Sequence, residues 1–275
     1  MTRNVLWTAA AVLAVAAWWV QAQPGAPTTA SVPAGTAPAR ALATAPTTAT
    51  APAGDAWQAG QPYPCRRAEG KLDVDVSAPA WRRAPVIRDW FIPISHERPK
   101  QPTELRLLWD EANLYAHFVA HDEDLRGTLT GKTDHLWSED VCELFLQPDT
   151  SKTSYYEYEV NPINGLLALR IADPRRLTLE QRADWPHKTG HQVKLAGTPN
   201  DDAADRNFQV LMTIPFADLD FAGKATPKPG DTWRFIGARC NLGRPFEKQE
   251  LSACVKLTKI DFHLLAEYPT LKFEP

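Results

Sequence analysis

Within the run Val141 to Gln147, one charged residue stands inside an otherwise apolar stretch: Glu143. Strand alternation puts Cys142, Leu144 and Leu146 on one face and Val141, Glu143 and Phe145 on the other. A carboxylate on a buried face is costly without a partner, so Glu143 requires a basic side chain such as Arg170 or Arg239, a metal ion, or a ligand hydroxyl. Just upstream lies Trp137, in His135-Leu136-Trp137-Ser138-Glu139-Asp140, on a short loop that leads into this strand. An indole face suits the weakly polarised axial hydrogens of a pyranose ring, while carboxylates and amides take its equatorial hydroxyls. Trp137 reads either as such a platform or as packing at the edge of the core, since the chain has 10 tryptophans and they cannot all face a ligand.

Hard oxygen donors also collect at Asp122-Glu123-Asp124 and at Asp201-Asp202. Both sit in loops, where they read as solvated charge or as ligands of a structural calcium ion, with Asp122 and Asp124 the candidates; neither has EF-hand spacing. Four cysteines, Cys65, Cys142, Cys240 and Cys254, allow three connectivities. Cys240 and Cys254 end and re-enter two strand-like runs across one loop, which makes them the candidate disulfide. There is no CxxC and no zinc-ribbon spacing. The nucleophile and phosphate motifs G-x-S-x-G, H-E-x-x-H and the Gly-rich P-loop are missing, and no acidic pair stands out for glycoside hydrolysis. For haem, the internal methionine Met212 alternates toward the core with Phe208 and Val210, which is the pattern of packing.

The elements that must hold these side chains are strands. Apolar residues recur with period two in Leu72–Val76, Leu105–Trp109, Leu114–Ala120, Val141–Gln147, Tyr155–Val160, Leu166–Ile171, Val193–Leu195, Phe208–Ile214, Trp233–Arg239 and Leu271–Phe273. Asp110 to Asn113 and Asn164-Gly165 read as hairpin turns. After Ile214-Pro215 only one helical turn is possible. About ten short strands with minor helical turns predict an all-β, antiparallel β-sandwich of the immunoglobulin or jelly-roll kind rather than a barrel, with no repeat to suggest a propeller.

Residues 1–22 read as a cleavable signal peptide: Arg3, an apolar run from Val5 to Val20, then Val20-Gln21-Ala22. Residues 23–54 are almost entirely Ala, Thr, Pro and Gly with Arg40 as the one charge, a linker with no apolar face to bury. One folded domain over 55–275 remains. The expected location is secreted or periplasmic, without membrane attachment after cleavage. A formal net charge of -3 gives neither a basic stripe for nucleic acid nor a polybasic patch for anionic lipid.

Several stretches taken in order resemble the family 9 carbohydrate-binding modules: Trp109 to Tyr115 followed by Asp122, Trp137 to Leu146, Tyr156 to Asn161 with Gly165, Ile214-Pro215-Phe216 with Leu219, Gly230 to Arg234, and Asp261-Phe262-His263. The resemblance runs from about Leu72 to Phe273. It implies a sandwich without catalytic activity that binds sugar by aromatic stacking, in the setting of xylan or cellulose breakdown, with structural calcium common. By position Trp137 resembles a stacking aromatic and Glu143 a hydroxyl-binding carboxylate, while Tyr158, Arg239 and Asn241 join them as candidate ligand contacts. The family's second stacking tryptophan falls at Ala253-Cys254, so Trp185 or Trp90 would have to replace it. Two other functions compete: a DOMON-like redox module holding haem in a related sandwich, and an envelope structural or partner-binding protein whose sugar site has decayed.

Overall fold

The alternating stretches form strands in the computed structural model, which describes residues 55–172, 178–222 and 226–275. The expected leader and linker lie outside the described residues. The strands are β1 (Tyr63–Arg67), β2 (Thr103–Trp109), β3 (Asn113–His121), β4 (Val141–Gln147), β5 (Tyr155–Val160), β6 (Leu166–Ile171), β7 (Gly190–Ala196), β8 (Asn207–Pro215), β9 (Thr232–Asn241), β10 (Glu250–Ala253) and β11 (Thr270–Phe273). They pair in the order β6-β5-β4-β9-β11-β1-β2-β3-β8-β7, with β10 added to β9. All pairings are antiparallel except those of β1, which runs parallel to both β11 and β2. The all-β expectation therefore holds with a correction: this is one mixed sheet of 11 strands, nearly closed on itself, and β1 is its parallel hinge.

Where the sheet folds over, β9 meets β2 and β3. A Cβ on Gly237 would lie 2.5 Å from Leu105 Cδ2 and 3.3 Å from Trp90, so a bare backbone is what permits this approach. Beside it, Trp233 and Phe273 stack edge-on at 4.8 Å, and Trp109 and Phe273 at 5.0 Å, closing the core near β1 and β11. Every residue of β4 and β5 is buried, so both faces of these strands are covered, whereas the edge strand β7 alternates between exposed and half-buried positions.

Turns are stitched by the polar residues expected there. Asp110 accepts from the Ala112 and Asn113 amides, and Asn164 takes a φ of 63° beside Gly165, whose amide donates to Asn161 Oδ1 at 2.7 Å. A five-residue helix, α1 (Leu179–Ala183), starts from a Thr178/Gln181 capping box, and one 3-10 segment follows Pro215 at Phe216–Ala222. Among the described residues no helix is long and apolar enough to cross a membrane.

Leu72–Val76 is not a strand. Its backbone is satisfied by side chains instead of a ladder: Gln209 accepts from the Val76 amide at 2.9 Å, and the Val74 carbonyl meets His117 Nε2 at 2.8 Å. Leu72 and Val74 pack on a satellite cluster of Trp81, Ala84, Leu108 and Leu211 outside the main core. The Cys240–Cys254 disulfide does not form either, and all four cysteines are buried free thiols. The register pairs Ala253 with Ala238, so Cys254 falls opposite Gly237 and points to the inner core, while Cys240 lies on the other face. Strand alternation keeps the two sulfurs apart despite their closeness in sequence.

Candidate functional site

Two antiparallel neighbours set the geometry around Glu143. The β4–β5 register places Glu143 opposite Glu159 and Phe145 opposite Glu157, and the β4–β9 register places Glu143 opposite Ala238 and Val141 opposite Cys240. Side chains two apart share a face, so Glu143, Phe145, Tyr155, Glu157, Glu159 and Cys240 all project from the side of the sheet away from β2 and β3. There the three glutamates converge, with one carboxylate oxygen of each within 4.8 Å of the others.

That face is roofed. From the C-terminal side, Phe262, His263 and Tyr268 close on Phe145, with ring centroids at 6.3, 5.5 and 6.3 Å. Tyr155 Oη and His263 Nδ1 are 2.8 Å apart, and Tyr268 donates to the Phe262 carbonyl, which fixes the roof's bend. From the other side comes the helical turn Leu136–Ser138, anchored by Gln249 Nε2, which donates to the Trp137 and Glu139 carbonyls. Half-buried Trp137 stacks on His135 at 4.5 Å with 17° between the rings. Under this cover Glu143, Glu157 and Glu159 are 2%, 4% and 0% exposed.

Electrostatics follow from the burial. Desolvation, then the nearby Glu157, pushes Glu143 up to about 8. Glu159 is raised well above the carboxylate range by burial first and by Glu143 and Glu157 next. The Cys240 thiol, which donates to Glu143 Oε1 at 3.0 Å, is pushed up by burial and by that carboxylate. Among the described residues no lysine or arginine is ion-paired with any of the three, and the His263 ring lies nearby with its Nδ1 3.8 Å from Glu157 Oε2.

The other expected site residues lie elsewhere. Arg239 is fully buried on the opposite face of β9, where it donates to Asp122 Oδ2 at 2.9 Å and Thr103 Oγ1 at 3.1 Å. Arg170, opposite Tyr156 in the β5–β6 register, also faces away from Glu143, so neither arginine is its partner. Asn241 shares Arg239's face and donates to Gln101. Tyr158 is buried in the core, and Trp185 packs on Tyr156 at 5.6 Å with its Nε1 donating to the Ala168 carbonyl. Trp90 is 1% exposed in the core. Of the expected ligand contacts, therefore, only Trp137 and Glu143 lie on the side of the sheet where the glutamates converge. Asp122 is paired with Arg239 and Asp124 with Arg126 and Arg244, so each of these two candidate calcium ligands has a guanidinium partner. Met212 is buried in the core.

Glu157 and Glu159 are the residues that sequence reasoning missed. Their signal was present as the alternation Tyr155-x-Glu157-x-Glu159, one hairpin away from Glu143.

The stretch that builds this face, from ahead of β2 to the β5–β6 turn, is also what a known family shares. Residues 72–165 match the carbohydrate family 9 binding domain-like family. That segment includes Trp137 and all three glutamates. No protein of curated function matches the chain. Among solved structures, a family 9 module from Caldicellulosiruptor kristjanssonii, in complex with cellotriose, superposes with a TM-score of 0.53 at 14% identity, over 78% of this chain and 94% of that one. A candidate carbohydrate-binding protein from Bacteroides uniformis ATCC 8492 gives a TM-score of 0.52 at 20% identity, over 64% of this chain and 80% of that one. At these identities the likeness is one of fold.

Proposed function

We propose that this chain is a non-catalytic carbohydrate-binding protein, exported by its leader and held on the Ala/Thr/Pro linker, that serves the breakdown of cellulose- or xylan-type polysaccharides. The observation that carries the reading is the family match over 72–165, because it covers the Trp137 turn and the strand that carries Glu143. The cellotriose bound by the Caldicellulosiruptor module narrows the first ligands to test to β-linked glucose oligomers. Trp137 is half-buried at the rim of the site and supplies the aromatic surface; the carboxyls beneath it supply acceptors and, when protonated, donors. Because Glu143 is 2% exposed, hydroxyl contact with it requires the roof over β4 and β5 to shift. Calorimetric titration of the protein with cello- and xylo-oligosaccharides is the test. Saturable binding that Trp137→Ala abolishes, with an unchanged circular dichroism spectrum, is the expected result, together with no new reducing ends after long incubation. Equal affinity in the variant would refute the site.

The partner-binding reading keeps support from one observation. Ala253 and Cys254, where a second stacking tryptophan would stand, are fully buried, and neither Trp90 nor Trp185 reaches the Trp137 side. Silence across the whole oligosaccharide panel would favour it.

A further inference from the structure

The other buried carboxylates are satisfied within the chain, Asp140 by the Arg126 and Leu242 amides, Asp205 by the Leu125 and Thr198 amides, and the rest by cations. Asp122 sits on Arg239 at 2.9 Å, Asp124 on Arg126 at 2.8 Å and on Arg244 at 3.2 Å, and Glu104 on Arg106 at 2.8 Å and Arg88 at 2.7 Å. Such pairing is the usual condition for keeping a charge out of water. The face of β4 and β5 breaks the pattern: three carboxyl groups converge there without a lysine or arginine ion pair among the described residues. Both oxygens of Glu159 and Oε2 of Glu157 are fully shielded and meet no donor at good hydrogen-bond geometry, their polar neighbours being each other and the Trp137 amide. A buried, unsatisfied acceptor is rare in a native fold and calls for a ligand.

We propose that Glu143, Glu157 and Glu159 bind one hard divalent cation. The geometry suits it: oxygens within 4.8 Å of one another can all reach a single ion at the ~2.1–2.5 Å typical of Mg²⁺, Mn²⁺ or Ca²⁺. Two carboxylates neutralise the ion and the third leaves a single negative charge, which the Cys240 thiol and the His263 ring border. An all-oxygen donor set selects hard cations over thiolate-preferring ones. Access is short, because the His263 side chain is 44% exposed while its Nδ1 lies 3.8 Å from Glu157 Oε2. The inference does not rest on sugar binding: it needs Glu143, Glu157 and Glu159 but not Trp137, although the sugar reading also draws on Glu143.

The test strips the full-length protein with EDTA, removes the chelator and titrates Mn²⁺ at pH 7.5, following free Mn²⁺ by electron paramagnetic resonance without any sugar present. One saturable site is expected, displaced by Ca²⁺ or Mg²⁺, weakened at least about tenfold in Glu159→Gln and in Glu157→Gln, and retained in Trp137→Ala. Because folded variants are needed, a second readout is the thermal midpoint. Mn²⁺ should raise it in the wild type and leave it unmoved in Glu159→Gln. No saturable binding of any of the three ions to folded wild type would overturn the proposal, leaving a proton-sharing or hydrated cluster; so would equal affinity in both glutamine variants, which would place the ion elsewhere.

Discussion

Glu143→Gln should make the protein more stable at neutral pH, and the gain should vanish in acid. In the folded state burial and Glu157 hold the Glu143 carboxyl at about 8, against an ordinary value of 4.5. Folding therefore takes up a proton between those two values. The stability linked to this group is fully present below about 4.5 and is lost progressively as pH rises through about 8. At ~1.4 kcal/mol per pH unit, the loss reaches about 3 kcal/mol by pH 7 and about 5 kcal/mol above pH 8. Glutamine keeps the shape and still accepts from the Cys240 thiol, but it has no proton to lose. Urea denaturation of both proteins in EDTA at pH 4.5, 6, 7 and 8, followed by tryptophan fluorescence, should give curves that coincide at the first pH and diverge by about 3 kcal/mol at pH 7. Asp140, also pushed up to about 8 by burial and Asp122, tilts both curves alike, so the difference reports Glu143 together with its charge interactions with Glu157 and Glu159. A difference that stays constant with pH, or a variant less stable at pH 8 than the wild type, would refute the reasoning.

Two further outcomes concern the other face of the sheet and the thiols. Asp122→Ala strands the Arg239 guanidinium, whose side chain is 1% exposed, and should cost about 3–5 kcal/mol in urea denaturation, with Asp122→Leu/Arg239→Met recovering much of the loss; a cost under about 1 kcal/mol would show that the pair is not a buried charge problem. Since all four cysteines are free and buried, reductant should leave the thermal midpoint unchanged and a thiol reagent should titrate four groups only after denaturation, whereas a drop in midpoint with reductant would reveal a disulfide.

Much of the fold was legible because local signals agreed with the final pairing. The expected bounds of β4, β5 and β6 coincide with the observed Val141–Gln147, Tyr155–Val160 and Leu166–Ile171, each a dense run of β-formers ended by Pro, Asn or Gly-containing turns. β1 escaped because Tyr63–Arg67 carries Pro64 and two arginines; it is a strand only because β11 and β2 flank it, and those partners lie far along the chain. β10 escaped for the same reason, as Glu250–Ala253 is too short to alternate convincingly without β9 beside it. Leu72–Val76 misled in the opposite direction, with perfect alternation and no neighbouring edge to pair with. For the site, the sequence marked Glu143 as a buried carboxylate but could not name its neighbours. Those depend on a hairpin register, and the roof comes from residues such as His263, 108 positions from Tyr155. Arg239 and Cys240 show the finest limit: adjacent in sequence, they fall on opposite faces, and only the pairing of Cys142 with Arg239 decides which one meets Glu143.

The two faces of β4, β5 and β9 carry buried charge in different ways, and the contrast constrains function. On the inner face, Arg239, Asp122 and Thr103 form a set in which the guanidinium and the carboxylate neutralise each other. Such a set supplies its own counter-charge. On the outer face, burial first and the neighbouring glutamates second raise the Glu143 and Glu159 carboxyls. An arrangement that opposes its own stability above neutral pH persists in a fold when something the folded state binds offsets it. The inner pair carries its own counter-charge, whereas the outer glutamates are the ones the proposed cation would neutralise. A site search on this protein therefore belongs on the Trp137 side of the sheet, above and beneath the roof made by Phe262, His263 and Tyr268.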